Sequence, residues 1–162
     1  APDDPDSNYR LARALWLDRI AVEPAQIHRM IGEGRNPDAA AAAYAEELRA
    51  YFGGLPRFDF AMIGVGPDGH ICSLFPDHWA LRDSRLAVAI HDSPKPPPTR
   101  LTLTLSALTG AAVLYVAAFG DSKAAVIADA VRNSQSQLPV ALAARSARQS
   151  VFLLDSGAAK LL

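Results

Sequence analysis

The residues best equipped for chemistry lie in one stretch, Gly64-Val-Gly-Pro-Asp-Gly-His-Ile-Cys-Ser-Leu-Phe-Pro76. Asp68 and His70 stand two apart in it, an acid beside a base. An imidazole, with an unperturbed pKa of about 6.5, is mostly neutral at pH 7 and can take a proton from a water molecule. The carboxylate would orient the ring, stabilise its protonated form or touch substrate hydroxyls; the sequence leaves these three open. Gly64, Gly66 and Gly69 let backbone N–H groups approach a ligand or hold positive φ, so they read as substrate-binding positions. A lone histidine more often just hydrogen-bonds loop backbone. The neighbouring carboxylate and three glycines turn the reading of His70 toward function.

Three cations are placed for an anion. Lys95 and Arg100 flank Pro96-Pro-Pro-Thr99, and the prolines hold the backbone extended at low entropic cost. Lys123 falls in the first turn of a helix begun by Asp121, where a cation opposes the helix dipole by some tenths of a kcal/mol. A phosphate at that terminus reverses the sign, held jointly by N–H groups and the ammonium.

Competing patterns are weaker. Gly64, Gly66 and Gly69 formally satisfy G-x-G-x-x-G, with Asp92 after a later strand. A dinucleotide site also needs a helix starting inside the glycine turn, and Pro67 and Pro76 oppose one. His28, His70, His78 and His91 show no ligand spacing, so no metal is expected. Cys72 reads as a buried structural cysteine rather than a nucleophile.

The elements that position these residues follow from periodicity. Ser7 caps a helix to about Arg19 with Tyr9, Ala12, Trp16 and Ile20 in its apolar stripe, and Pro37 opens a second to Phe52, closed by Gly53-Gly54. Strands are expected at Phe58–Ile63, Leu86–Ile90, Leu101–Leu105, Ala111–Ala118 and Ser150–Leu154. Ala111–Ala118 is an unbroken apolar run, the pattern of a strand covered on both faces. Helices are expected over Asp121–Arg132, with Val131 inward, from Pro139, and from Asp155 to Leu162. Strands alternating with helices define an α/β class with an open, mostly parallel sheet and helices on both faces.

The 162 residues fit a single domain. Net charge is −1, which recommends neither nucleic acid nor an anionic membrane as partner. No apolar run approaches the roughly 20 residues that cross a bilayer. One cysteine precludes an internal disulfide and, with these features, points to the cytoplasm.

The stretch Gly64–Pro76 resembles the 6-phosphogluconolactonase motif, an Asp-Gly-His turn followed by Ser-Leu-Phe-Pro. Asp6-Ser-Asn-Tyr9 is similar to the family's Ser-Asn-Tyr segment, Lys95–Leu103 to its Lys-Pro-Pro-x-x-Arg segment, and Gly120-Asp-Ser-Lys123 to its Gly-x-x-Lys turn. The four motifs run in order along the whole chain. The resemblance implies a Rossmann-like sheet of the sugar-phosphate isomerase/deaminase kind. It also implies hydrolysis of 6-phospho-D-glucono-1,5-lactone without a cofactor, with His70 and Asp68 catalytic and Lys95, Arg100 and Lys123 shared between phosphate and oxyanion. A monomer or weak dimer is expected. The family's Thr-Gly-Gly-Ser loop and Asp-Glu-Arg motif, which precede the Ser-Asn segment, have no counterpart, so 1–162 reads as the C-terminal two-thirds of one catalytic domain, incomplete at its N-terminal side. On that reading it folds stably only with the preceding segment. Glucosamine-6-phosphate deaminases share the Asp-Gly-His turn but need a carboxylate where Phe75 stands. Such a deaminase or isomerase, or a non-catalytic sugar-phosphate binding module, is the alternative.

Overall fold

The computed structural model describes residues 1–162. Ser7 accepts from the Arg10 N–H and caps α1 (Asn8–Leu15). The expected continuation to Arg19 breaks at Trp16 and resumes as a 3₁₀ turn, Leu17–Arg19. No residue of α1 is buried, and Leu11, Leu15, Trp16 and Ile20 face solvent. The stripe is covered only in part: Tyr9, under the Arg29 guanidinium, and Ala12 are half-buried, and the rest is open. In α2 (Pro37–Phe52), Asn36 caps the start and Gly53, at φ +67°, ends it. Its buried Ala45 and Leu48 pack with Leu86, Ala87 and Ala107, against the antiparallel pair β2 (Ala87–Ile90) and β3 (Arg100–Leu103).

The other three strands form a parallel sheet. β1 (Phe60–Gly64), β4 (Val113–Ala118) and β5 (Ser150–Leu154) lie in the order β1-β4-β5, with Ile63 beside Val116 and Val116 beside Phe152. Alternate residues Ile63, Leu114, Val116 and Ala118 enter the main core with Ile127 of α4 (Ala124–Arg132) and with Val140 and Ala143 of α5 (Pro139–Ser146). Leu114, Val116, Ile127 and Val140 are wholly buried. Each such side chain stabilises by about 1.5–3 kcal/mol. A short α3 (Leu105–Leu108) follows β3, so the third strand ends two residues sooner than its alternation predicts.

The helices lie on one face of this sheet, not two. Phe60, Met62 and Leu153 on the opposite face are exposed, and Tyr115 is half-buried against Phe60. The apolar run of β4 therefore alternates between buried and half-buried positions. Apolar composition identifies residues that can be covered, not the presence of a cover. Val131 likewise is half exposed rather than inward. No helix forms after Asp155: residues 156–161 are turns, although Asp155 does accept from the Ala158 N–H as a cap would. No helix is long and apolar enough to cross a membrane.

Candidate active site

The loop after β1 leaves the carboxyl end of a parallel strand, where open α/β sheets bind ligands. It closes on itself: Gly66 N–H donates to the His70 carbonyl at 2.9 Å, and Gly69 N–H to the Gly66 carbonyl at 2.9 Å. Buried Ile71, Leu74 and Phe75 anchor its far end in the interior. Gly69 O accepts from Val140 N–H at 3.1 Å, and Ser73 N–H donates to Thr102 Oγ1 at 3.0 Å. The turn is thus tied to α5 and β3. The next helical residues are the 3₁₀ turn Trp79–Arg82, so no helix starts in the glycine turn and the dinucleotide pattern is coincidental.

Within this frame His70 Nδ1 and Asp68 Oδ1 stand 2.5 Å apart. A carboxylate there accepts a hydrogen bond from Nδ1–H, which fixes the proton on Nδ1 and leaves Nε2 as the basic nitrogen. The imidazole also lies against the buried Phe75 ring, centroids 4.7 Å apart. Lys95 Nζ reaches the same pair, 3.2 Å from Asp68 Oδ1 and 3.3 Å from His70 Nδ1. Burial alone would raise the Asp68 pKa, but the hydrogen bonds from His70 and Lys95 outweigh it and hold the carboxyl down to about 2. Asp68 is an anion throughout the neutral range.

That depression has a stability consequence. The folded value lies below the unfolded carboxylate's about 3.9, so the stabilisation is present above about pH 4 and lost as pH falls toward 2. Asp68→Asn is expected to melt below wild type at pH 7, with the gap closing as the pH drops through that window. Thermal melts at either end of it check the sign. A gap that persists at the acid end removes the charge from the account.

Gly64, Val65, Gly66, Pro67, His70, Cys72 and Lys123 line one crevice of about 410 Å³. Lys123 comes from the loop after the adjacent strand β4, at the end of a 3₁₀ turn (Asp121–Lys123) that leads into α4 rather than inside the α-helix itself. Arg100 does not join it. Its guanidinium donates to the carbonyls of Lys95 (3.2 Å), Pro96 (2.6 Å) and Pro97 (3.1 Å) and lies over Phe75. It braces the proline loop and borders a separate cavity of about 740 Å³ beside α1. Gly69, at φ +82°, packs against the Leu138 side chain and does not line this crevice.

Two residues escape the sequence reading. Phe75 supports the His70 ring as well as standing where a deaminase carboxylate would; its place within the motif was the available signal. Cys72 is exposed on the crevice wall at φ +51°, not buried. The atoms packed around its sulfur disfavour the thiolate and push the pKa up to about 11.

Fold and site define an α/β domain with a histidine–carboxylate pair and a lysine at the carboxyl ends of adjacent parallel strands. Residues 1–153 match the family described as glucosamine-6-phosphate isomerases/6-phosphogluconolactonase, and the chain belongs to that family. It is similar to the 6-phosphogluconolactonase of Streptomyces coelicolor, 38% identical over 98% of this chain and 65% of that protein. It is also similar to that of Homo sapiens, 41% identical over 99% of this chain and 63% of that protein. The chain thus spans just under two thirds of the length of these relatives. The solved 6-phosphogluconolactonase of Trypanosoma cruzi superposes with a TM-score of 0.84 at 25% identity, covering 100% of this chain and 68% of that one.

Proposed function

We propose that the protein hydrolyses 6-phospho-D-glucono-1,5-lactone to 6-phosphogluconate, in the oxidative pentose phosphate pathway. The observation that carries this reading is the Asp68–His70 pair on a crevice shared with Lys123. A lactone is an activated ester, so the site need only deliver water and stabilise an oxyanion. His70 Nε2 takes a proton from water as the water oxygen bonds to the lactone carbonyl carbon. The tetrahedral intermediate then collapses, the bond from that carbon to the ring oxygen breaks, and the imidazolium returns its proton to the departing oxygen. Asp68 stabilises the imidazolium between the two steps. No oxidation state changes, so the step calls for no redox cofactor, and the proposal invokes no metal. Lys123 takes the 6-phosphate. Lys95, beside Asp68, balances the charge of the pair, and Arg100 holds the loop that carries Lys95. A cytoplasmic location, a monomer or weak dimer and the absence of nucleic-acid or membrane partners belong to the same reading, supported by the near-neutral charge and single cysteine. Phe75 opposes a deaminase, because a buried ring stands against His70 with no acid to open a sugar.

Lys123→Ala tests the phosphate assignment. It is expected to raise KM for the phosphorylated lactone by about tenfold or more while leaving the unphosphorylated lactone nearly unchanged, because a charge-assisted contact is lost only to the former. An equal loss on both lactones assigns Lys123 to chemistry or folding instead.

A further inference from the structure

β4 and β5 are parallel neighbours, with Ala118 beside Leu154, so the loops that follow them emerge side by side. The loop after β4 carries Lys123, and it is held from the loop after β5. Gly120, at φ +87°, turns its N–H to the Asp155 carboxylate, 2.9 Å from Oδ1 and 3.0 Å from Oδ2. The same Oδ1 accepts from the Ala158 N–H at 2.8 Å, and Ala158 is wholly buried in the main core. One carboxylate therefore ties the Lys123 loop to an anchored turn. Gly157 completes the fit. A Cβ there would stand 2.6 Å from Asp121 Oδ1, 2.9 Å from Asp121 N and 3.1 Å from Gly120 C, so the two backbones meet where only glycine fits. Gly120 O in turn accepts from the Lys123 N–H at 3.0 Å, which passes the placement on to Lys123. The Ala158 and Gly120 N–H groups also hold the Asp155 carboxyl below its ordinary range, so it is ionised whenever the enzyme is near neutrality.

We infer that Asp155 and Gly157 form a seat that fixes Gly120–Lys123 in the position from which Lys123 meets a phosphate. Asp155 is then a positioning residue for the phosphorylated part of the ligand, and this ligand half of the inference rests on the function proposed above. The base, on the loop after β1, has no contact with the seat. Loss of the seat weakens binding and spares the chemical step.

The test compares Asp155→Ala, Asp155→Asn and Gly157→Ala in the intact protein, each alone and combined with Lys123→Ala. Binding of 6-phosphogluconate and kcat for the lactone are measured, with amide exchange at Gly120. Asp155→Ala and Gly157→Ala are expected to weaken binding by about three- to tenfold, less than the tenfold or more expected for Lys123→Ala, because they displace the lysine without removing it. kcat is expected to hold, and Gly120 exchange to quicken. Asp155→Asn keeps an acceptor oxygen and is expected to recover most of the affinity. In the Lys123→Ala background none of the three is expected to weaken binding further, since the group they position is gone. The inference is overturned if the losses recur undiminished in that background, or if kcat falls in step with affinity. A wild-type protein that binds no phosphorylated sugar overturns the proposed function instead. The seat is then judged by exchange at Gly120, and unchanged exchange in Asp155→Ala overturns it.

Discussion

Replacing His70 with alanine is expected to lower kcat for lactone hydrolysis by about 10²- to 10⁴-fold, the range a positioned general base supplies. The fold is expected to survive. His70 is only partly buried and lies outside the main core, while the loop around it is held by backbone hydrogen bonds and by Ile71 and Leu74. Phe75, on which the ring rests, stays packed from its other sides. KM is expected to change little, because in the proposed mechanism the imidazole acts on the water rather than on the phosphate. The measurement is initial rate at neutral pH, corrected for spontaneous lactone opening, with circular dichroism to confirm folding. An unchanged kcat removes His70 from the chemistry and leaves the crevice as a binding site alone.

Asp68 and His70 were legible because both lie in one short loop, where residue type and spacing are enough to bring them together. Lys95 was legible as a cation but not as the partner of Asp68, 27 residues earlier. That contact depends on how the proline loop folds over the glycine turn, and no local pattern records it. Arg100 was likewise legible as a cation but not as a brace of its own loop. A guanidinium near prolines reads as free charge until the loop's carbonyls are seen converging on it. Among the elements, α2 had a cap, a proline and a terminal glycine, and its boundaries follow the sequence. The helix expected after Asp155 had a cap alone. Its carboxylate serves Ala158, but it also binds Gly120 in the loop after the neighbouring strand β4, and the chain turns there instead of winding on. The α1 stripe and the second face of β4 fail together. Periodicity identifies an apolar surface, while burial requires a second surface to meet it.

The glycines separate in a way that the motif could not, and Gly66 is where the largest effect is expected after His70. Gly66 has no positive φ, so conformational freedom does not explain it. Close approach does. A Cβ at this position would overlap the His70 ring at Nδ1 and Cε1 and stand 2.6 Å from Asp68 Oδ1. The backbones cannot separate to relieve this, since Gly66 N–H is bonded to the His70 carbonyl, so the ring itself must give way. Gly66→Ala is therefore expected to force the imidazole off the carboxylate and cost about 10²-fold or more in kcat, approaching the His70→Ala value. Gly69→Ala has a different cost. At φ +82°, with Leu138 atoms 3.1 Å from the new Cβ, it strains the backbone by about 1–2 kcal/mol, which lowers Tm by several degrees. Gly64→Ala meets nothing within 4 Å and is expected to leave the fold intact. Rates and melting temperatures for the three variants give the test. Activity should fall furthest at Gly66 and stability furthest at Gly69. A Gly66→Ala enzyme with wild-type kcat would mean that the imidazole works from somewhere other than its seat on Asp68.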